Sequence, residues 1–117
     1  MSITIYHNPH CSKSRAALAL LEEHGIKPAV VRYLETPPSV AELARIAALL
    51  DLSPRQMIRT GEQEYRDNGL DDPGLADDQL LQAMHDHPRL IQRPIVVTGS
   101  AARIGRPPER VLEIIGN

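Results

Sequence analysis

Cys11 is the one cysteine of this 117-residue chain, and it lies between an apolar, strand-like run at Ile3–Tyr6 and a helical stretch beginning near Ser12. A thiol at such a junction meets the first free N–H groups of the helix and the positive end of its dipole, both of which favour the thiolate. A free cysteine of pKa ~8.5 is only about 3% ionised at neutral pH, and lowering the pKa by roughly two units makes it about three-quarters thiolate. Nucleophilicity falls with basicity at a Brønsted slope of ~0.4–0.5, so about eightfold of that roughly 25-fold rise is lost again. Ionisation alone therefore contributes a few-fold. Binding and orienting the other reactant must supply the rest. With no second cysteine in the chain, the thiol can attack a substrate but cannot close a redox cycle by itself.

The neighbours of Cys11 are hydrogen-bond donors. Cys11-Ser12-Lys13-Ser14 is a Cys-x-x-Ser pattern, a dithiol redox motif with the second thiol replaced by a hydroxyl. Ser14 and Arg15, three and four residues on, share the helix face of Cys11. His7, four residues before it, can lower the thiol pKa or hydrogen-bond an incoming anion. Eleven of the thirteen cationic side chains are arginine, the exceptions being Lys13 and Lys27, and the guanidinium fork suits planar and tetrahedral oxyanions. Arg59, Arg93 and Arg106 are of interest by position. Arg93 precedes Pro94 at a strand start and Arg106 precedes Pro107 at a helix start, element edges where functional groups gather.

Other chemistries are disfavoured. A phosphatase-type loop needs arginine six positions after the cysteine, and position 17 is alanine. His7, His10 and Cys11 lack a fourth ligand at suitable spacing, and His85-x-His87 puts two rings on different helix faces, so no metal site is expected. His24, at the end of the first helix, reads as structural. A net charge of −2 argues against general nucleic-acid binding. No apolar run approaches the length that crosses a bilayer, and no N-terminal charged-then-apolar signal is present. A single cysteine builds no disulfide framework, so a reducing cytoplasm is the expected location.

The elements that must hold these groups follow from periodicity and punctuation. Ile3–Tyr6 and Ala29–Tyr33 read as parallel strands joined by a helix from Ser12 to His24, with Gly25 as its stop. Ser39 and Glu42 form a capping box ahead of an apolar helix face at Val40, Leu43, Ala44, Ala47 and Leu50. Ser53-Pro54 opens a short helix, 61–77 reads as loop with some helical turns, and Asp77 caps a helix ended by Pro88. Pro94–Thr98 and Ala102–Gly105 read as a hairpin, and Pro107-Pro108 start a last helix facing the core with Val111, Leu112 and Ile115 and ended by Gly116. The expected fold is a single α/β domain spanning 1–117. It has a four-stranded mixed sheet flanked by helices, with a helical insert between strands 2 and 3.

The segment Tyr6-His7-Asn8-Pro9-His10-Cys11-Ser12-Lys13-Ser14-Arg15 resembles the glutaredoxin-coupled arsenate reductase (ArsC) family of the thioredoxin superfamily. The resemblance continues through Tyr33–Pro38, the Arg59 segment, Arg93-Pro94-Ile95-Val96-Val97 and Arg103-Ile104-Gly105-Arg106-Pro107, and so covers essentially the whole chain. Cys11–Arg15 together with Arg103–Pro108 is closer to the housekeeping, YfgD-like branch than to the longer plasmid-borne resistance enzymes. The resemblance implies a thioredoxin-like fold in which Cys11 is the nucleophile that attacks arsenic. His7 and Ser14 would tune its thiolate, Arg59, Arg93 and Arg106 would bind the oxyanion, and Pro94 would be a cis proline facing the cysteine. It further implies no bound cofactor, glutathione as co-substrate and glutaredoxin as partner, so that external thiols provide the second reducing sulfur. Two other activities fit a lone-cysteine thioredoxin fold: a regulatory or binding module related in shape to the Spx regulators, and a glutathione-linked reductase of another substrate.

Overall fold

The computed structural model describes residues 2–115; the Gly116 helix stop expected from the sequence lies outside them. The central strand is β1 (Thr4–Tyr6), parallel to β2 (Ala29–Val31) on one side and antiparallel to β3 (Ile95–Val97) on the other, and β4 (Ala102–Ile104) completes the order β2-β1-β3-β4. This is the four-stranded mixed sheet of a thioredoxin-like fold. The strands are shorter than their apolar runs, three residues each, because the flanking residues turn into site loops. Ile5, Ile95 and Val96 are fully buried, as suits inner strands covered on both faces.

The packing divides the chain into two compact units, one built from the chain up to Thr36 and from Arg93 onward, the other from Pro37 to Gln92. In the first, α1 (Ser12–Glu23) presents Ser14, Ala17 and Leu21 as its buried stripe, at the spacing that puts them on one face. Ala17 and Leu21 join Ile5, Val96 and Val111 in the core, with Leu112, Ile114 and Ile115 partly buried against it. The helix stops in a Schellman turn: Gly25, at φ +77°, donates its N–H to Glu22 O, and Ile26 donates to Leu21 O. His24 Nδ1 bonds Leu20 O at 2.9 Å, which fits its structural reading. The last helix departs from expectation. It is a 3-10 helix over Pro108–Ile114, one residue later than its two prolines suggested, because Pro107 precedes another proline and stays extended at ψ 162°. Arg103 Nε donates to Glu113 Oε1 at 2.8 Å and ties β4 to it.

The second unit is the helical insert. Ser39 Oγ accepts the Glu42 N–H at the start of α2 (Val40–Leu50), which buries Leu43, Ile46 and Ala47. A short α3 (Pro54–Met57) carries a full capping box between Ser53 and Gln56. The polar stretch after Gly61 contains α4 (Gln63–Asp67). The start of α5 (Asp77–Asp86) corrects the sequence reading: Ala76, not Asp77, is the N-cap, and Gln79 Oε1 accepts the Ala76 N–H at 2.8 Å. Asp77 and Asp78 instead occupy the first turn, where carboxylates complement the helix dipole. His85 Nδ1 bonds Pro38 O at 2.8 Å, a structural tie rather than a metal ligand.

Gly105 is the tightest point beneath the site. A Cβ there would lie 2.9 Å from Pro94 Cγ, 3.1 Å from Val111 Cγ1 and 3.4 Å from Ala17 Cβ, while its N–H donates to Pro94 O at 2.8 Å. Gly105→Ala is therefore expected to cost about 1–3 kcal/mol through overpacking. Gly61→Ala, where nothing lies within 4 Å, is expected to stay within about 0.5 kcal/mol of wild type. Urea unfolding of both variants checks this, and equal midpoints would contradict it.

Candidate active site

The strand registers gather the functional residues at one end of the sheet. Tyr6, the last residue of β1, pairs with Val31 on one side and Ile95 on the other, and Ile95 pairs with Ile104. The residues just beyond those positions are His7 after β1, Arg32 after β2, Arg93-Pro94 before β3, and Gly105-Arg106 after β4. His7 continues the β1–β2 pairing with its N–H on Val31 O at 2.8 Å. The chain has five residues in which to pass from the end of β1 to the start of α1, and Cys11 is the last of them, the N-cap residue in extended conformation.

That loop is held at every step. Asn8 Oδ1 accepts the His10 N–H at 3.0 Å and Asn8 O accepts the Cys11 N–H at 3.0 Å, an Asx-type turn. The Asn8 N–H donates to Ser14 Oγ at 3.0 Å, and Arg15 Nη1 donates to Pro9 O at 2.8 Å. Side chains from the first turn of α1 thus reach back and fix the loop that presents the sulfur. Cys11 is a free thiol with 9% of its surface exposed.

Burial is the largest influence on Cys11 and works against ionisation, yet its pKa lies below the ordinary thiol value. The Ser14 amide, the hydrogen-bonding and charged guanidinium of Arg93, and the Lys13 amide together outweigh the desolvation. The sulfur makes no closed capping bond, so the helix acts on it through field and amide direction, as a helix N-terminus does. Arg93 has a second property. Its Nε and Nη1 are buried and have no hydrogen-bond partner. Buried guanidinium donors are costly to leave without acceptors, and here they stand beside the thiol that they help ionise. Such an arrangement can receive an oxyanion and hold it for attack by sulfur.

His7 and Ser14 are bonded to one another beside the Cys11 loop. Burial first, then the charges of Arg32 and Arg15, lower the His7 pKa, so the ring is neutral at pH 7. Its Nδ1 bonds the fully buried Ser14 Oγ. The Ser14 hydroxyl is thus engaged by His7 and Asn8, and it is the Ser14 backbone amide that acts on Cys11. The pair braces the loop from beneath.

The Arg93–Pro94 peptide is cis and Pro94 is buried. Arg106 is exposed and its Nη1 contacts Arg93 O at 3.5 Å, which puts a second guanidinium against the Arg93 backbone. Arg59 belongs to the Pro37–Gln92 unit. There its N–H bonds Leu90 O at 2.7 Å, and Nη1 pairs with Glu62 Oε2 at 3.0 Å. Two contributors were not singled out from sequence. Asn8 was named only within the resembling segment, and Arg32 lay inside the strand expected over Ala29–Tyr33. The strand ends at Val31, which puts Arg32 directly after it. Among the described residues no three His, Cys, Asp or Glu side chains are grouped to hold a metal ion.

The electrostatics fix a sign. Removing the Arg93 charge destabilises the thiolate and raises the Cys11 pKa. The pH profile of Cys11 alkylation by iodoacetamide is expected to have its midpoint below that of a free thiol in wild type and to move upward in Arg93→Gln. An unmoved midpoint would remove Arg93 from the site.

Comparison with known proteins identifies the family. The sequence profile of the ArsC family matches residues 6–114. The chain is 51% identical over 115 residues to the Escherichia coli K12 protein YfgD, covering 97% of each. It is 52% identical over 116 residues to a Haemophilus influenzae protein named arsenate reductase, covering 98% of this chain and 100% of that one. A solved structure described as arsenate reductase from Vibrio cholerae superposes with a TM-score of 0.95 at 57% identity, covering 98% of both chains. With a profile match over nearly all its length and relatives at half identity that it covers from end to end, this chain belongs to the ArsC family.

Proposed function

We propose that the protein is a cytoplasmic arsenate reductase that works with glutathione and glutaredoxin. The observation that carries this reading is Arg93, with two buried donors awaiting an acceptor beside a thiol of lowered pKa. The relatives named arsenate reductase support the identity of the oxyanion, and the lone cysteine supports the need for outside thiols.

Arsenate enters against Arg93 and Arg106. The Cys11 thiolate attacks arsenic, an S–As bond forms, and one arsenate oxygen leaves with protons as water; arsenic is still pentavalent. Glutathione thiolate then attacks the Cys11 sulfur. The S–S bond forms as the S–As bond breaks, and its electron pair stays on arsenic, which departs as trivalent arsenite. Two sulfurs have been oxidised by one electron each and arsenic reduced by two. A glutaredoxin thiolate attacks the glutathione sulfur and frees Cys11. The arginines hold the charge of the oxyanion and of the adduct in a partly desolvated place, where such contacts are strongest.

In a coupled assay, arsenite is expected from arsenate only when glutathione and glutaredoxin are both supplied, and Cys11→Ser is expected to abolish it. Arg93→Gln is expected to lower kcat/KM by about 100-fold, the scale of losing one oxyanion donor. Wild-type protein that forms no arsenite under these conditions would overturn the proposal.

A further inference from the structure

Arg93 and Arg106 lie on the β3–β4 side of the Cys11 loop. The β2 side carries a second pair of guanidinium groups, for which the oxyanion has no use. Arg32 follows Val31, whose carbonyl receives the His7 N–H at 2.8 Å, so it leaves β2 alongside the loop. Arg15 reaches back from α1 and commits Nη1 to Pro9 O at 2.8 Å. Both side chains are exposed. The only ion pair of Arg32 among the described residues is with Glu35 at 3.4 Å, between side chains 59% and 67% exposed, which is a weak tether. After burial, the charges of Arg32 and Arg15 help hold the His7 pKa down. No carboxylate is paired with Arg15 among the described residues.

We propose that Arg32 and Arg15 form a second anion subsite, on the β2 side of Cys11, which takes a carboxylate of the thiol that attacks Cys11. The ligand class is a small thiol bearing free carboxylates, such as glutathione. This rests on the reading that an external thiol completes the cycle. Its logic is separation of charge: the oxyanion lies on one flank of the sulfur and the carboxylate on the other, so two anions meet at Cys11 without sharing a cation. In such a tripeptide the thiol is on the central residue and each carboxylate is on the residue beside it, so a carboxylate stays close to the sulfur when that sulfur meets Cys11. Arg15 and Arg32 are positioning residues for the incoming thiol.

The test needs no arsenate. Cys11 is converted to its mixed disulfide with thionitrobenzoate. A thiol then attacks the Cys11 sulfur, a new S–S bond forms, and thionitrobenzoate leaves as a coloured thiolate whose release gives the rate. Glutathione is compared with glutathione diethyl ester, which has the same thiol and no free carboxylate. Arg32→Gln is expected to slow glutathione about two- to fivefold, the scale of an exposed charge contact, and to leave the ester rate unchanged; Arg15→Gln, which also loses the bond to Pro9 O, is expected to slow both thiols, and glutathione more. Arg32→Lys and Arg15→Lys are expected to restore most of the glutathione rate. Equal slowing of both thiols would assign the arginines to loop structure, and no slowing of either would leave them without a role; both results overturn the proposal. Because the exchange is independent of arsenic, failure here is distinct from failure of arsenate turnover.

Discussion

The arrangement depends on a thiolate and a guanidinium held together in a place where neither is fully solvated. Burial alone would keep Cys11 protonated, and burial alone would make the Arg93 donors a liability. Each offsets part of the other's cost: the cation and two backbone amides stabilise the sulfur charge, and the sulfur gives the cation a neighbour. What the pair leaves unmet are two guanidinium N–H directions, which is the binding specification of an oxyanion. The rest of the fold holds this geometry. Asn8, Ser14, Arg15 and His7 fix the loop from both ends, and Gly105 lets β4 lie close enough to Pro94 to set the other wall.

Four short strands suffice because register, not length, places the groups. One end of the sheet collects the residues beyond four strand ends, and loops from widely separated stretches of sequence meet there without long connections. The Pro37–Gln92 unit supplies its own packing, with Arg59 held between the Leu90 carbonyl and Glu62. Glu62 also pairs with Arg89 at 3.1 Å, so the carboxylate that steadies Arg59 is shared.

Much of this was legible in the sequence because the signals are local. The apolar stripe of α1, the glycine that stops it and the strand on either side of Cys11 need only neighbouring residues to be read. What was not legible depends on partners far along the chain or on backbone geometry that side-chain type does not encode. Alanine has no oxygen to cap a helix, so Ala76 is invisible as an N-cap until Gln79 is seen reaching back to it. Pro107, extended because Pro108 follows it, starts the last helix one residue late. That His7 is buried and has its pKa lowered by that burial and by Arg32 and Arg15 depends on groups its own segment does not reveal. Arg32 acquires meaning only from the β1–β2 register.

The most direct measurement is a crystal of the protein exposed to arsenate, with arsenic located by its anomalous scattering. The account requires arsenic bonded to the Cys11 sulfur, with its oxygens within hydrogen-bond range, about 2.7–3.1 Å, of Arg93 Nε and Nη1. Arsenic bound elsewhere, or those two nitrogens turned onto protein carbonyls with the sulfur unmodified, would contradict it.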